Sequence, residues 1–271
     1  MFLELICFLM GAGLAVSGSL TFWPVSEWYH FYIPLVLFIA GWLGGFIIIV
    51  ILEIIAGLPV KQEQHMKISK WARFWFNDGL KFILNHGLVW AKVTGLEKAP
   101  KHQRFVLVCN HRSKFDNFVI TDHFRKNDIA FITKKENRKI PIAGRLYHGL
   151  CYIDIDRDDK LQSLEGFKTA ITLLQTDTTC IGVFPEGTRQ IQKDIGEFHE
   201  APFNIAIHAR VPIVICAIKG TENIHRHWPF RPTSVKLDVV TTLNYEDFEG
   251  KTAKAVSDEV HQILEQHIAN M

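Results

Sequence analysis

No lysine or arginine occurs before Lys61. That gap removes the basic n-region of a secretory signal from the start Met-Phe-Leu-Glu, and an uncleaved N-terminal anchor is the expectation. An excess of either charge is also missing. Thirty basic side chains face 28 acidic ones, for a net charge of +2 over 271 residues. Such balance argues against a dedicated nucleic-acid binder, which needs a strong basic surplus. Cysteine is sparse and unpaired in pattern. Cys7, Cys109, Cys151, Cys180 and Cys216 form no C-x-x-C, and their number is odd. Buried, reduced thiols in a reducing compartment are expected, without a disulfide framework. The chain also lacks a G-x-S-x-G elbow, so nothing points to a nucleophilic serine.

What the first sixty residues have is two long uncharged runs. Ile33 to Leu52 carries no charge, and as a helix it is long enough to cross ~30 Å of hydrocarbon. Leu5 to Trp23 is uncharged too, although richer in glycine and serine. Trp23, Pro24, Trp28, Tyr29 and Tyr32 lie between, and aromatic rings favour the bilayer interface. Residues 1–60 are therefore read as a transmembrane helical hairpin. Lys61, Lys67, Lys70 and Arg73 follow at once, which predicts that everything beyond them lies on the cytoplasmic face. Residues 61–92 mix Trp71, Phe74, Trp75, Leu80, Phe82 and Trp90 with lysines and an arginine. This segment is read as an interfacial amphipathic helix, and a helix covering the sheet of the body fits the pattern equally well.

Residues 93–271 alternate short apolar runs with helical patterns. Arg104–Cys109, Ile129–Thr133, Tyr152–Ile155, Cys180–Phe184 and Ile213–Lys219 read as strands, with Val235–Thr241 as an edge strand. Helices are expected over Ser113–Arg125, Leu161–Leu174, Phe203–Ala209 and Thr252–Ile268. The fold class is α/β: a mostly parallel sheet flanked by helices, preceded by the membrane anchor.

Two segments carry chemistry. Asn110-His111-Arg112-Ser113-Lys114-Phe115-Asp116 follows one predicted strand, at the rim where open α/β sheets collect ligands. Asp116, folding back, would accept the Nδ1–H of His111 and leave Nε2 free to take a proton. Ser113-x-x-Asp116 is also a capping-box-like signature, so on spacing alone Asp116 serves either the histidine or the helix. Phe184-Pro185-Glu186-Gly187-Thr188-Arg189 follows another strand. Gly187 permits close approach of a ligand to the backbone, and Arg189 offers a planar fork for phosphate oxygens. Two other clusters are set aside. Asp154-x-Asp156-x-Asp158 with Glu165 imitates a calcium loop but has Asp159 where glycine is required. His225-Arg226-His227 reads as a loop and not as a metal site. No metal is expected.

The two segments resemble the first and third motifs of the glycerolipid acyltransferase family, typified by 1-acylglycerol-3-phosphate acyltransferases. Thr133-Lys134-Lys135-Glu136, Ile140 to Gly144 and Gly149 to Arg157 resemble the second motif, and Val211-Pro212-Ile213-Val214 the fourth. The likeness covers roughly residues 90–245, in order. It implies transfer of an acyl group from acyl-CoA or acyl carrier protein, a co-substrate and not a cofactor, to a lysophospholipid hydroxyl in a membrane. It implies His111 as general base and Asp116 as its partner. Glu186, Gly187, Thr188 and Arg189 would bind the acceptor, Lys134 and Arg157 its phosphate, with Asn110 and Ser113 of the first motif also substrate-binding. Three departures stand out: Arg112 replaces a common glutamine, His199-Glu200 replaces a basic-glycine pair after Phe198, and Ile215 replaces a proline.

Overall fold

The computed structural model describes residues 2–22, 32–141, 143–156, 159–190 and 195–271. Three helices come first: α1 (Phe2–Phe22), α2 (Tyr32–Gly57) and α3 (Lys70–His86). The body then runs β1 (Val89–Thr94), β2 (Val106–Cys109), α4 (Asp116–His123), β3 (Ile129–Lys134), α5 (Ala143–Gly149) and β4 (Ile153–Ile155). It continues with α6 (Lys160–Gln175), β5 (Cys180–Val183), α7 (Ala201–Ala209), β6 (Ile213–Lys219), α8 (Ile224–His227), β7 (Thr233–Leu243), α9 (Tyr245–Phe248) and α10 (Ala253–Ala269).

The strands form one seven-stranded sheet in the order β1-β7-β6-β2-β5-β3-β4. Every pairing is parallel except β6 with β7. The α/β reading with a mostly parallel sheet therefore holds. The central strands are buried on both faces, which is why β2 and β5 read as unbroken apolar runs. On one side α6 packs on α7 and α7 on α10; on the other α3 packs on α4 and α5. Phe105, Phe131, Leu107, Ile181 and Phe203 fill the space between these layers.

Two expectations are corrected. Val235–Thr241 is not at an edge: β7 is longer and lies between β1 and β6. The edge belongs to β1, which comes out of the segment read as amphipathic helix. That helix spans only Lys70–His86 and starts where the Ser69 hydroxyl accepts the Ala72 N–H. It ends at Gly87, and Leu88 at φ +51° turns the chain away. The alternate exposure of Val89–Thr94 is that of a strand with one covered face.

The apolar helices α1 and α2 are each long enough to cross a membrane, with mean hydropathies of 1.8 and 2.9. Only 17% of each apolar window is buried, which leaves their apolar side chains outward and supports membrane association. They pack against each other through Gly41 and Gly45, where a Cβ would lie 2.5 Å from the Met10 carbonyl oxygen and 2.7 Å from the Cys7 Cα. The pairing is antiparallel, since Leu37 meets Gly18 while Gly45 meets Cys7. The aromatic residues Trp23 to Tyr29 of the expected interfacial turn lie outside the described residues.

Helix α3 lies along α2 and runs opposite to it. Trp71 donates to the Ala56 carbonyl, Gly79 faces Glu53, Phe82 meets Phe46, and His86 meets Trp42. Its other face covers the body. One helix thus packs on both the anchor helix α2 and the body.

Candidate active site

Strand β2 ends at Cys109, and the chain turns across the carboxyl rim of the sheet before entering α4. His111 stands on that turn. Its Nδ1 lies 2.8 Å from Asp116 Oδ2. A carboxylate only accepts, so Nδ1 carries the hydrogen and Nε2 holds the lone pair. The same Oδ2 accepts the N–H of Arg112 at 2.7 Å and of Ser113 at 2.8 Å. Oδ1 accepts the hydroxyl of Thr221. Asp116 is fully buried, and these four donors offset its desolvation. The spacing left two roles open, and the carboxylate fills both. It reaches back to the Ser113 amide as in half a capping box, and it holds the imidazole.

The second motif is stitched to the first at backbone level. Glu186 Oε1 accepts the His111 N–H at 2.8 Å, and the Gln190 N–H donates to the His111 carbonyl at 2.8 Å. The other oxygen, Oε2, accepts the Gly196 N–H at 3.1 Å. Glu186 is therefore an internal brace. Gly187 turns at φ +67°, which leaves Thr188 and Arg189 exposed on the rim. Phe184 stacks on the His111 ring with centroids 4.2 Å apart and 17° between planes, and Phe131 backs Phe184 at 5.4 Å. Carboxylate and phenyl ring together fix the imidazole in orientation and tilt.

Burial pushes Glu186 up to about 7, and the Asp116 charge adds to this; the amides of His111 and Gly196 and the charge of Arg112 oppose it. The folded value exceeds the ordinary 4.5, so the folded state holds this proton more tightly than the unfolded chain does. The stability it lends is present in full below that ordinary value and is lost as pH rises through about 7. Glu186→Gln should flatten this slope, worth at most about 3 kcal/mol. Thermal unfolding in detergent across the interval checks it; identical slopes would exclude Glu186 as the titrating group.

Family comparisons agree with this geometry. A family model described as Acyltransferase matches residues 91–219, which include both motifs and the strands beneath them. Residues 91–219 are thus similar to an acyltransferase domain. The chain is 30% identical over 173 residues to an uncharacterized acyltransferase of Schizosaccharomyces pombe, covering 63% of this chain and 61% of that protein. It is 26% identical over 182 residues to the 1-acyl-sn-glycerol-3-phosphate acyltransferase of Limnanthes douglasii, covering 66% and 63%. The match thus spans somewhat over three fifths of these relatives. The crystal structure of the 1-acyl-sn-glycerophosphate (LPA) acyltransferase PlsC from Thermotoga maritima superposes with a TM-score of 0.61 at 23% identity, over 84% of this chain and 87% of that one. That likeness establishes the fold.

Not every residue expected in the site reaches it. Asn110 is turned into the sheet: its Nδ2 donates to the Ile218 carbonyl at 2.9 Å and its Oδ1 accepts the Ile218 N–H at 2.8 Å. It clamps β2 to β6, buried beneath the rim. Ser113 is buried, and its hydroxyl accepts the Phe115 N–H at 3.3 Å within the turn. Lys134 ends β3 two strands away on the same rim, with its side chain exposed. Arg157 lies outside the described residues.

Arg112, the replacement for glutamine, is buried and donates to Glu222 at 3.1 Å. Burial alone would raise the Glu222 carboxyl, but hydrogen bonding and charge from Arg112, with the Gly220 amide, hold it below the usual range. Arg112–Glu222 and Asp116–Thr221 thus tie the loop after β6 to the His111 turn. Thr221 and Phe184 have functional positions that sequence reasoning did not assign. Phe184 was visible inside its motif; Thr221 stands 105 residues from its partner, with no local signal.

Proposed function

We propose that this protein is an O-acyltransferase that moves a fatty acyl group from an acyl thioester to the free hydroxyl of 1-acylglycerol-3-phosphate, giving phosphatidic acid. The observation that carries this reading is the buried Asp116 carboxylate on Nδ1 of a rim histidine, stitched to the Glu-Gly-Thr-Arg turn. The name of the Limnanthes relative, a 1-acyl-sn-glycerol-3-phosphate acyltransferase, supports the acceptor.

In the proposed reaction His111 Nε2 takes the acceptor hydroxyl proton while that oxygen attacks the thioester carbonyl. The tetrahedral intermediate collapses with loss of the thiolate, which recovers the proton from His111. Asp116 stabilises the transient imidazolium without taking its proton. General-base help of this kind contributes ~10²–10⁴-fold. Arg189 and Lys134, exposed on one rim, supply positive charge for the acceptor phosphate. The donor is acyl-CoA or acyl carrier protein, which share a phosphopantetheine thioester. The body sits on the cytoplasmic face, where both donors occur.

The test is thiol release by the full chain from both donors, with lysophosphatidate as acceptor. Stoichiometric phosphatidate and free thiol are expected, and silence with every donor and lysolipid would sink the assignment. Arg189→Ala should raise the acceptor KM roughly tenfold or more, the scale of one lost charge-assisted hydrogen bond of ~1.5–3 kcal/mol. An unchanged KM would remove its phosphate role. A second reading rests on His199-Glu200, where the family pattern has a basic-glycine pair. It keeps the reaction and replaces the acceptor with another lysophospholipid or a lyso-amino-acid lipid, and a ranking of acceptors by kcat/KM separates the two.

A further inference from the structure

The segment from Ile224 to Arg231 joins β6 to β7 and takes no part in the chemistry proposed above. It is held firmly at its base. Ile224 is buried, His227 Nδ1 lies 2.9 Å from the Thr233 hydroxyl, and the Phe230 and Arg231 amides donate to the His227 carbonyl at 3.1 and 2.9 Å. Its tip nevertheless presents large apolar side chains to the outside. Phe230 is 92% exposed and Trp228 49%; Trp90 on the neighbouring β1 is 69% exposed. Arg226 and Arg231 flank the aromatic pair, and no acidic residue occurs from Ile224 to Lys236. Exposed aromatics with arginines beside them and no acids are the composition of a bilayer-interface contact.

The place of this segment selects the partner. The indole of Trp228 lies against Gly87, at the end of α3, where a Cβ would come within 2.9 Å of it. The preceding turn of α3 touches both anchor helices, through His86 on Trp42 and Asn85 on Glu4. Because α3 runs against α2, this is the end of α3 nearest the start of α2. Ten residues of α2 precede Trp42, so about 15 Å of apolar helix projects beyond this level. Trp228 and Phe230 therefore sit beside the hairpin, whose outward apolar face runs past this level through Leu43, Ile47 and Ile51. The segment also begins just past the carboxyl end of β6, on the rim that carries His111.

We propose that Trp228, Phe230, Arg226 and Arg231 form a second bilayer contact that seats the catalytic rim on an anionic lipid surface, with the aromatics among the headgroups and the arginines on lipid phosphates. This contact presents the mouth of the site to acceptors that never leave the membrane. It rests on the membrane-anchored reading given above.

The experiment uses the full chain in vesicles of phosphatidylglycerol and phosphatidylcholine. The five native cysteines are all buried, so a polarity-sensitive thiol dye can be directed to Phe230→Cys. Glu249→Cys, exposed just beyond the far end of β7, is the control. Brominated acyl chains should quench and blue-shift the dye at 230 several-fold more than at 249. Equal behaviour at the two positions overturns the contact. Flotation of the unlabelled protein with the vesicles tests the anchor separately, and thiol release on the same vesicles tests the acyltransferase assignment. A dye at 230 that is quenched in a protein releasing no thiol would sink the assignment and keep the contact.

Discussion

His111→Ala is expected to lower kcat for thiol release by ~10²–10⁴-fold, the range for removal of a positioned general base. The fold should survive. The imidazole is partly exposed on the rim, and both backbone bonds of residue 111, to Glu186 and from Gln190, persist in alanine. Lost packing on Phe184 should cost about 1 kcal/mol. The measurement is kcat with saturating donor and acceptor, beside a thermal unfolding curve in detergent. Turnover within tenfold of the parent, from protein with a normal melt, would show that another group removes the proton.

Asp116→Asn should lower kcat on a similar scale, ~10⁴-fold being the cost when a carboxylate behind a catalytic histidine is replaced by its amide. The shape is kept. If the amide oxygen takes the place of Oδ2, it still meets the Arg112 and Ser113 amides, and the NH₂ group faces the Thr221 hydroxyl, which is able to accept. What disappears is the charge that stabilises the imidazolium. Asp116→Ala differs in kind, because it strands buried donors that each cost ~1–3 kcal/mol when left unpaired. The alanine variant should therefore melt much lower than the asparagine variant. If Asp116→Asn retained near-normal turnover, Asp116 would be a brace for the loop and nothing more.

The contrast between these variants follows from the two roles of one carboxylate. Spacing placed Asp116 within reach of both His111 and the helix start, without choosing between them. The structure needs no choice, since Oδ2 accepts from ring and backbone together.

Local features could be read without coordinates. The buried runs before His111 and Glu186 are β2 and β5, because a strand covered on both faces must be apolar throughout. That both motifs lie on one rim follows from parallel strands ending on the same side. The charge-free stretches became α1 and α2, since a backbone without polar side chains is left with its own helical hydrogen bonds. These are properties of a few consecutive residues and their period.

The remaining features depend on which strands and helices become neighbours. Asn110 stands in the first motif, yet its amide is taken up by Ile218, 108 residues away. Thr221 reaches Asp116 only because β6 lies beside β2. Val89–Thr94 becomes a strand because β7 offers it an open edge, although its residues continue the composition of α3. Trp228 meets the end of α3 by the same closure of the sheet. Hydrophobic period and backbone preference act over a few residues and are written along the chain. Contacts across a hundred residues arise from the order in which strands pair, and no local pattern encodes that order.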